Sequence, residues 1–420
     1  MKTLDIAIAG AGPAGLAAAL FLKRAGHRVT IFERFGQPEP VGSGLILQPT
    51  GLTVLGELGL FDEISALGSR IDRLYGADAR SGRPVLDVRY SAQRGGRHGI
   101  AVHRAALFNT LHAAALREGI PIETGSEIAS IDASGQNAVL FDAHEKRLGS
   151  FDLAIDSTGA RSKLRQYSDV PVEQKRLTYG AFWASLKWPE GLFDERALLQ
   201  RYRRASVMVG VLPIGRATRD GDKMAAFFWS LKPKDAEAVQ ARGLDAWKEQ
   251  VLSIWPDCVH FTDQITSFDQ LSLARYGHHT LKLPIGRKLA IIGDAAHSTS
   301  PQLGQGANMA LLDAAALVHA LEKGASIEEA LGLYASARRW HMRVFQALSY
   351  AFTPFYQSDS VALPFIRDRL VSTLATIPPA PQFLASMVAG TIIDPFKAIG
   401  LRERDWTLKS ADLAQTQACN

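Results

Sequence analysis

The sequence predicts an α/β fold in which a parallel sheet flanked by helices is interleaved with a second, mainly antiparallel sheet and followed by C-terminal helices. Three observations predict it. Near the start, an apolar run at 6–9 leads into Gly10-Ala11-Gly12-Pro13-Ala14-Gly15 and then into an alanine- and leucine-rich helical stretch. Far along the chain, a second apolar run at 288–292 leads into Gly293-Asp294-Ala295-Ala296-His297, then through Pro301 to Gly304-Gln305-Gly306-Ala307-Asn308. Between the two lie segments of strand character, at 83–90, 178–187, 207–212 and 224–231, with one helix expected around 235–254.

The elements follow in order. Gly10 allows a tight turn, Gly12 lets a pyrophosphate approach the backbone, and Gly15 lets the helix lie close to its strand, with Pro13 and Ala14 between them. The helix, expected to run to about residue 26, then presents unpaired N–H groups and a partial positive charge to phosphate. This is the Rossmann-like strand–turn–helix arrangement. The strand at 28–32 ends at Glu33, whose carboxylate is expected to take the two hydroxyls of an adenosine ribose, with Arg34 beside it. The first turn alone does not separate NAD from FAD, and the second segment does. The strand at 288–292 brings Asp294 to a strand end, where it can bind a ribityl hydroxyl. After Pro301, the glycine- and amide-rich residues 304–308 open a second helix, expected to continue to about residue 324. A helix N-terminus stabilises negative charge by about 0.3–2 kcal/mol, which suits a reduced flavin, and Gly304 and Gly306 let a ring come close. Gln305, Ala307 and Asn308 belong to the same contact set.

With 420 residues, 47% of them hydrophobic, the chain has room for two or three domains. The net charge of +5 is modest, and the basic residues are dispersed without the aromatic interleaving of a nucleic-acid surface, so no nucleic-acid partner is expected. Cys258 and Cys419 stand far apart, which speaks against a disulfide framework. His278, His279, His297 and His341 have no companions at ligand spacing, so no metal is expected and each is read as a structural histidine. The first strand starts at once, leaving no room for a signal peptide, so a cytoplasmic location is expected. The apolar stretch 383–393 is too short to span a bilayer and is read as a core or interface helix. The expected organisation is a dinucleotide-binding domain from 1–70, 100–178 and 280–350, a second domain from 71–99 and 179–279, and a proline-punctuated helical region at 351–420.

Taken together, these motifs resemble the FAD-dependent aromatic hydroxylases, the group A flavoprotein monooxygenases of p-hydroxybenzoate hydroxylase type, over the whole chain and in order. His103-Arg104-Ala105-Ala106-Leu107 matches the family's second motif, so the resemblance implies that Arg104 contacts FAD near its ribityl or phosphate part; on its own it reads as a solvated arginine at a helix start. Ile128 completes the expected cofactor contacts. The third motif departs from the family: Thr158-Gly159-Ala160-Arg161-Ser162-Lys163-Leu164-Arg165 carries threonine in place of an aspartate associated with FAD and nicotinamide handling. The resemblance implies hydroxylation of a small aromatic or heteroaromatic substrate by NADH or NADPH and O2 through a flavin C4a-hydroperoxide, by a monomer or homodimer. Pro301 is the expected flavin- and substrate-side residue, and the segment 41–44 is a candidate hinge for flavin movement. In the resembled fold the middle sheet forms the substrate wall, giving Trp183, Met208, Phe227 and Trp229 as candidates; on their strand Phe227 and Trp229 share one face and Phe228 takes the other. Alternatives are a FAD-dependent halogenase, whose Trp-x-Trp-x-Ile-Pro segment is not found here, a reductase acting on an isoprenoid, or a flavin-binding protein without turnover.

Overall fold

The apolar strand Asp5–Ala9 is central to a six-stranded sheet in the computed structural model, which describes residues 2–37 and 42–407. It pairs in parallel with Arg28–Glu33 on one side and Leu153–Asp156 on the other. Leu289–Ile291 extends the parallel sheet beyond Leu153–Asp156, and Ile122–Thr124 does so beyond Arg28–Glu33. Helices Pro13–Arg24 and Gly306–Lys323 cover one face, burying Leu16, Leu20, Leu311 and Leu317. A small antiparallel sheet, Ser130–Asp132, Ala138–Phe141 and Arg147–Phe151, covers the other through Ile131, Ala138 and Leu140. Coverage on both faces explains why these strands are continuously apolar rather than alternating. Register brings Ala9, Phe32, Asp156 and Ile291 level, so every loop that leaves this edge meets the others.

The second sheet has eight strands, from Pro84–Arg89 and Arg73–Asp78 at one side, through Ala197–Arg203, Val207–Gly215, Met224–Leu231 and Lys175–Lys187, to Ser272–Thr280 and His297–Ser298. All its pairings are antiparallel except Arg73–Asp78 with Ala197–Arg203. One face is packed by the helices Leu244–Leu252 and Val259–Thr262, which bury Trp247 and Phe261 against it. The opposite face packs on a small three-stranded sheet, Gly44–Leu47, Gly99–His103 and Ser69–Ile71, and on the helix Ala380–Ala389.

Several expectations change. The single helix expected over 235–254 is two, Ala236–Ala241 and Leu244–Leu252, because Gly243 stands between them at φ 92°. A residue with a Cβ is strained there, and the change of direction lets Trp247 turn into the core. Strands Ala197–Arg203 and Ser272–Thr280 were not expected at all. The apolar stretch at 383–393 belongs to Ala380–Ala389, which stops at left-handed Gly390 and buries Ala385, Met387, Val388 and Ala389. No helix among the described residues is long and apolar enough to cross a membrane. Val41, Cys419 and the end of the helical region, 408–420, lie outside the described residues.

Candidate active site

Each glycine of the first turn meets a different physical demand. Gly10 sits at φ 97° and donates its N–H to the Phe32 carbonyl at 2.8 Å. A Cβ on Gly15 would collide with the Gly10 carbonyl and come within 2.5 Å of Ser157 Oγ, so only glycine lets the helix lie this close. A Cβ on Gly12 would meet no protein atom within 4 Å; the space beside it is open. Gly12 is also the N-cap of a helix with Pro13 in its first turn and no side chain capping it, which leaves its amides for a ligand. Glu33 is fixed at the rim by the amides of Ala11 at 2.8 Å and Phe35 at 3.0 Å. Arg34 is exposed and lies over the Phe35 ring. Ile128 is buried beside Ala9 and Phe32, so its side chain serves the core.

The second segment meets the first directly. Gly293, at φ 61°, lies where a Cβ would be 3.2 Å from both Ala14 and Ala310, so the starts of the two helices converge on one glycine. The second helix is likewise uncapped by its N-cap residue Gln305. Asp294 is exposed although protein crowds it on its other sides, the situation of a residue on a cleft wall. Desolvation raises its pKa, with His297 and Arg104 pulling it down. A Cβ on Gly306 would be 3.7 Å from Asp294 Oδ1, so Gly306 and Asp294 share one side of the cleft. Pro301 is exposed and opens the short turn Pro301–Leu303, which ends at left-handed Gly304. Ala307 is half-buried in the first turn of the helix.

Two expected contacts turn inward instead. The Asn308 side chain is fully buried, accepting from Gln48 N at 2.8 Å and donating to Ile46 O and Gly304 O. It pins the strand Gly44–Leu47 to the helix start and does not face the cleft. The Gln305 amide donates to Val388 O at 2.6 Å, tying the loop to the C-terminal helix. The candidate hinge is also braced: Ser43 Oγ bonds to Ala184 O and Ser185 Oγ, and a Cβ on Gly44 would strike Ile214. Gly42, at φ 99°, is crowded as well, with the Arg104 side chain lying 3.0 Å from where its Cβ would be. Arg104 is exposed and close enough to Asp294 and Tyr276 to lower the pKa of each, though desolvation dominates both and holds the Tyr276 phenol at about 12.

Beneath the loop lies a buried polar network. Asp313 accepts from Gly293 N at 2.9 Å, His297 Nε2 at 2.5 Å and Arg338 Nε at 2.7 Å. Arg338 contacts His341, which donates to the carbonyl of Gly390. His297 and His341 thus serve structure, fixing the Gly293 turn to the long helix Ile327–Tyr356.

Thr158, where the family carries an acid, is served by Asp156 two residues earlier. Asp156 is fully buried and accepts from Thr158 N at 3.0 Å, Thr158 Oγ1 at 2.7 Å and Ser162 Oγ at 2.5 Å. Ser157 donates to the carbonyls of Ala9 and Gly10, so this loop braces the first turn. The acid stands in the sequence, but only the strand end at Asp156 reveals its part.

The substrate-side expectation divides by face. Phe227 and Trp229 point toward Trp247 and Phe261, in the core on the helix-covered side, so neither lines the cleft. Phe228 takes the other face, with Trp183 at 4.6 Å between ring centroids and Met208 beside it. Trp183 Nε1 donates to Tyr276 Oη at 2.8 Å. Tyr276 lies on the strand Ser272–Thr280, whose mixed polar and apolar residues carry only a weak strand pattern.

A family model described as an FAD binding domain matches residues 3–346. The chain belongs to this FAD-binding family. The flavoprotein is 28% identical over 352 residues to 3-amino-4-hydroxybenzoate 2-monooxygenase of Streptomyces cremeus, covering 80% of this chain and 84% of that one. It is 27% identical over 368 residues to 2-heptyl-3-hydroxy-4(1H)-quinolone synthase of Mycobacteroides abscessus, covering 82% and 88%. In fold it is similar to Klebsiella pneumoniae HpxO complexed with FAD and uric acid, with a TM-score of 0.78, 18% identity, and coverage of 92% and 97%. The residues present fit the cofactor: open space at Gly12, two uncapped helix starts and a carboxylate on the cleft wall between them.

Proposed function

We propose that this flavoprotein is a monooxygenase that uses NAD(P)H and O2 to add one oxygen atom to a small aromatic or heteroaromatic ring. The observation that carries the reading is the convergence of the two uncapped helix starts on Gly293, beside Asp294 and across from a sheet face bearing Trp183, Phe228 and Tyr276. The relatives' printed activities, on an aminohydroxybenzoate and a heptylquinolone, are in keeping with it. Bound FAD would supply the redox chemistry, accepting electrons from the nicotinamide and activating O2.

The chain's own residues do the rest. Amides after Gly12 would hold the pyrophosphate, Glu33 the adenosine ribose, and Asp294 and Arg104 the ribityl part. The N-terminus of Gly306–Lys323 would stabilise negative charge gained on reduction. Trp183 and Phe228 would hold the substrate ring by stacking, and Ala380–Ala389 would exclude water from that side. Asp156 keeps the 156–162 loop in place where nicotinamide would approach. Purified holoenzyme mixed with NADH or NADPH tests the reading. Oxidation should be slow alone and accelerate with an aromatic ligand that gains oxygen; acceleration yielding peroxide alone with every ligand would reject it.

A further inference from the structure

The face of the second sheet that looks toward the C-terminal helices carries no charge of its own on its central strands; at its edge Tyr179 donates to Asp359 at 2.8 Å, and Asp359 is matched by Lys232. The inward positions on four neighbouring strands, at 179–185, 198–202, 208–214 and 224–230, carry no Asp, Glu, Lys or Arg. The large side chains there include Trp183, Leu198, Met208, Leu212 and Phe228. Glycines make two of the rings lie flat: a Cβ at Gly210 would run into the Phe228 ring, and one at Gly76 into Tyr202. Phe352, Tyr356 and Leu384 stand half-buried on the opposing segments.

The polar groups of this face are already engaged. Gln200 donates to Met208 sulfur at 3.1 Å and accepts from the Tyr202 hydroxyl at 2.9 Å, while Tyr276 Oη accepts from Trp183. The two fully buried arginines nearby are each matched by a carboxylate, Arg338 by Asp313 and Arg367 by Asp368, both at 2.7 Å. Arg367 spends its remaining donors on the carbonyls of Phe355 and Arg204. Arg104 stands at the cofactor-side edge, near both Asp294 and Tyr276, where the Asp294 carboxylate offsets its charge. An anionic ligand entering this space would lose its hydration and find the flanking cations already facing carboxylates, Arg367 over Tyr202 with Asp368 and Arg104 with Asp294, whereas a neutral ring gains stacking area at no such cost.

Building on the monooxygenase reading, we infer that the substrate is an uncharged aromatic ring system with apolar substituents, and that the wall of Trp183, Leu198, Met208 and Phe228 selects it against aromatic carboxylates. The wall has the chemistry to stack a flat ring and to sheath an alkyl or aryl substituent, with the Tyr276 hydroxyl as its polar landmark.

Matched pairs that differ in charge test this on the holoenzyme: methyl 4-hydroxybenzoate against 4-hydroxybenzoate, and methyl 4-hydroxyquinoline-2-carboxylate against 4-hydroxyquinoline-2-carboxylate. Affinity is read from quenching of tryptophan fluorescence, separately from NAD(P)H oxidation and product mass. The neutral member of each pair should bind at least about tenfold more tightly. Met208→Lys should narrow or reverse the preference, and Leu198→Lys provides a second position should the first variant fail to retain FAD. Equal or tighter binding of the carboxylates, or no binding by either neutral ligand, overturns the inference. Tight carboxylate binding with oxygenated product would defeat it while leaving the monooxygenase reading intact; selective binding of neutral ligands with peroxide as the only product would do the reverse.

Discussion

At the scale of single residues, the cleft rests on a small number of side chains whose roles separate experimentally. Asp294 faces the cleft and has no role in the buried network beneath it, so Asp294→Ala should cost FAD binding rather than folding. A charge-assisted hydrogen bond of about 1.5–3 kcal/mol corresponds to roughly ten- to a hundredfold weaker FAD binding. A flavin titration of the apoprotein reads this directly, and unchanged affinity alongside a lowered melting temperature would make Asp294 a structural brace. Asn308 illustrates the opposite case. It sits in a motif that reads as cofactor contact, yet its side chain bonds to the protein backbone at Gln48, Ile46 and Gly304. Motif position identifies which residues gather at a loop, while the partner each side chain chooses depends on the strand Gly44–Leu47, which arrives from far away in the sequence.

At the scale of elements, the two strand–turn–helix units were legible because strand, glycine spacing and helix all occur within one short stretch of chain. Their glycines divide the labour in a way that yields a paired prediction. Gly15→Ala forces a Cβ against Gly10 and Ser157 and should lower the unfolding free energy of the apoprotein by roughly 1–3 kcal/mol. Gly12→Ala meets no protein atom and should leave apoprotein stability nearly unchanged while abolishing tight FAD binding. Chemical denaturation of both apoproteins, with flavin titration, distinguishes them; equal destabilisation by the two would contradict the assignment of the space at Gly12 to a ligand. What was not legible was long-range. The alternation of Phe227, Phe228 and Trp229 follows from the strand period, but which face meets helices was decided by Trp247 and Phe261, distant in sequence. Likewise Ser272–Thr280 is held as a strand by its pairing with Lys175–Lys187 rather than by its own residues.

For the whole molecule, the buried histidines couple protonation to the assembly of its layers. His279 contacts Arg165 and the Ala295 carbonyl, and His341 bridges Arg338 and Gly390. Desolvation lowers their pKa values to about 4 and about 3. Both are neutral in the folded protein at pH values where the unfolded chain, with ordinary histidines near 6.5, takes up protons. Stability present above pH 6.5 is therefore lost as pH falls toward 4, with a slope approaching about 2.7 kcal/mol per pH unit for the two together. Asp313 adds to the loss only lower, since His297 and Arg338 outweigh burial and hold it near 2. Denaturation curves from pH 7.5 to 4.5 should show the fall, and His341→Gln should make it shallower; a pH profile unchanged by that substitution would show this histidine to be protonated or solvated in the fold.

The central claim is that FAD, held between the two helix starts, delivers one atom of dioxygen to a ring seated on the face of Trp183 and Phe228. Turnover under isotopically labelled dioxygen, with a ligand that accelerates NAD(P)H oxidation, tests it most directly. The account predicts a product carrying one labelled oxygen atom; an unaltered ligand with all label in peroxide, or a product whose oxygen comes from water, would contradict it.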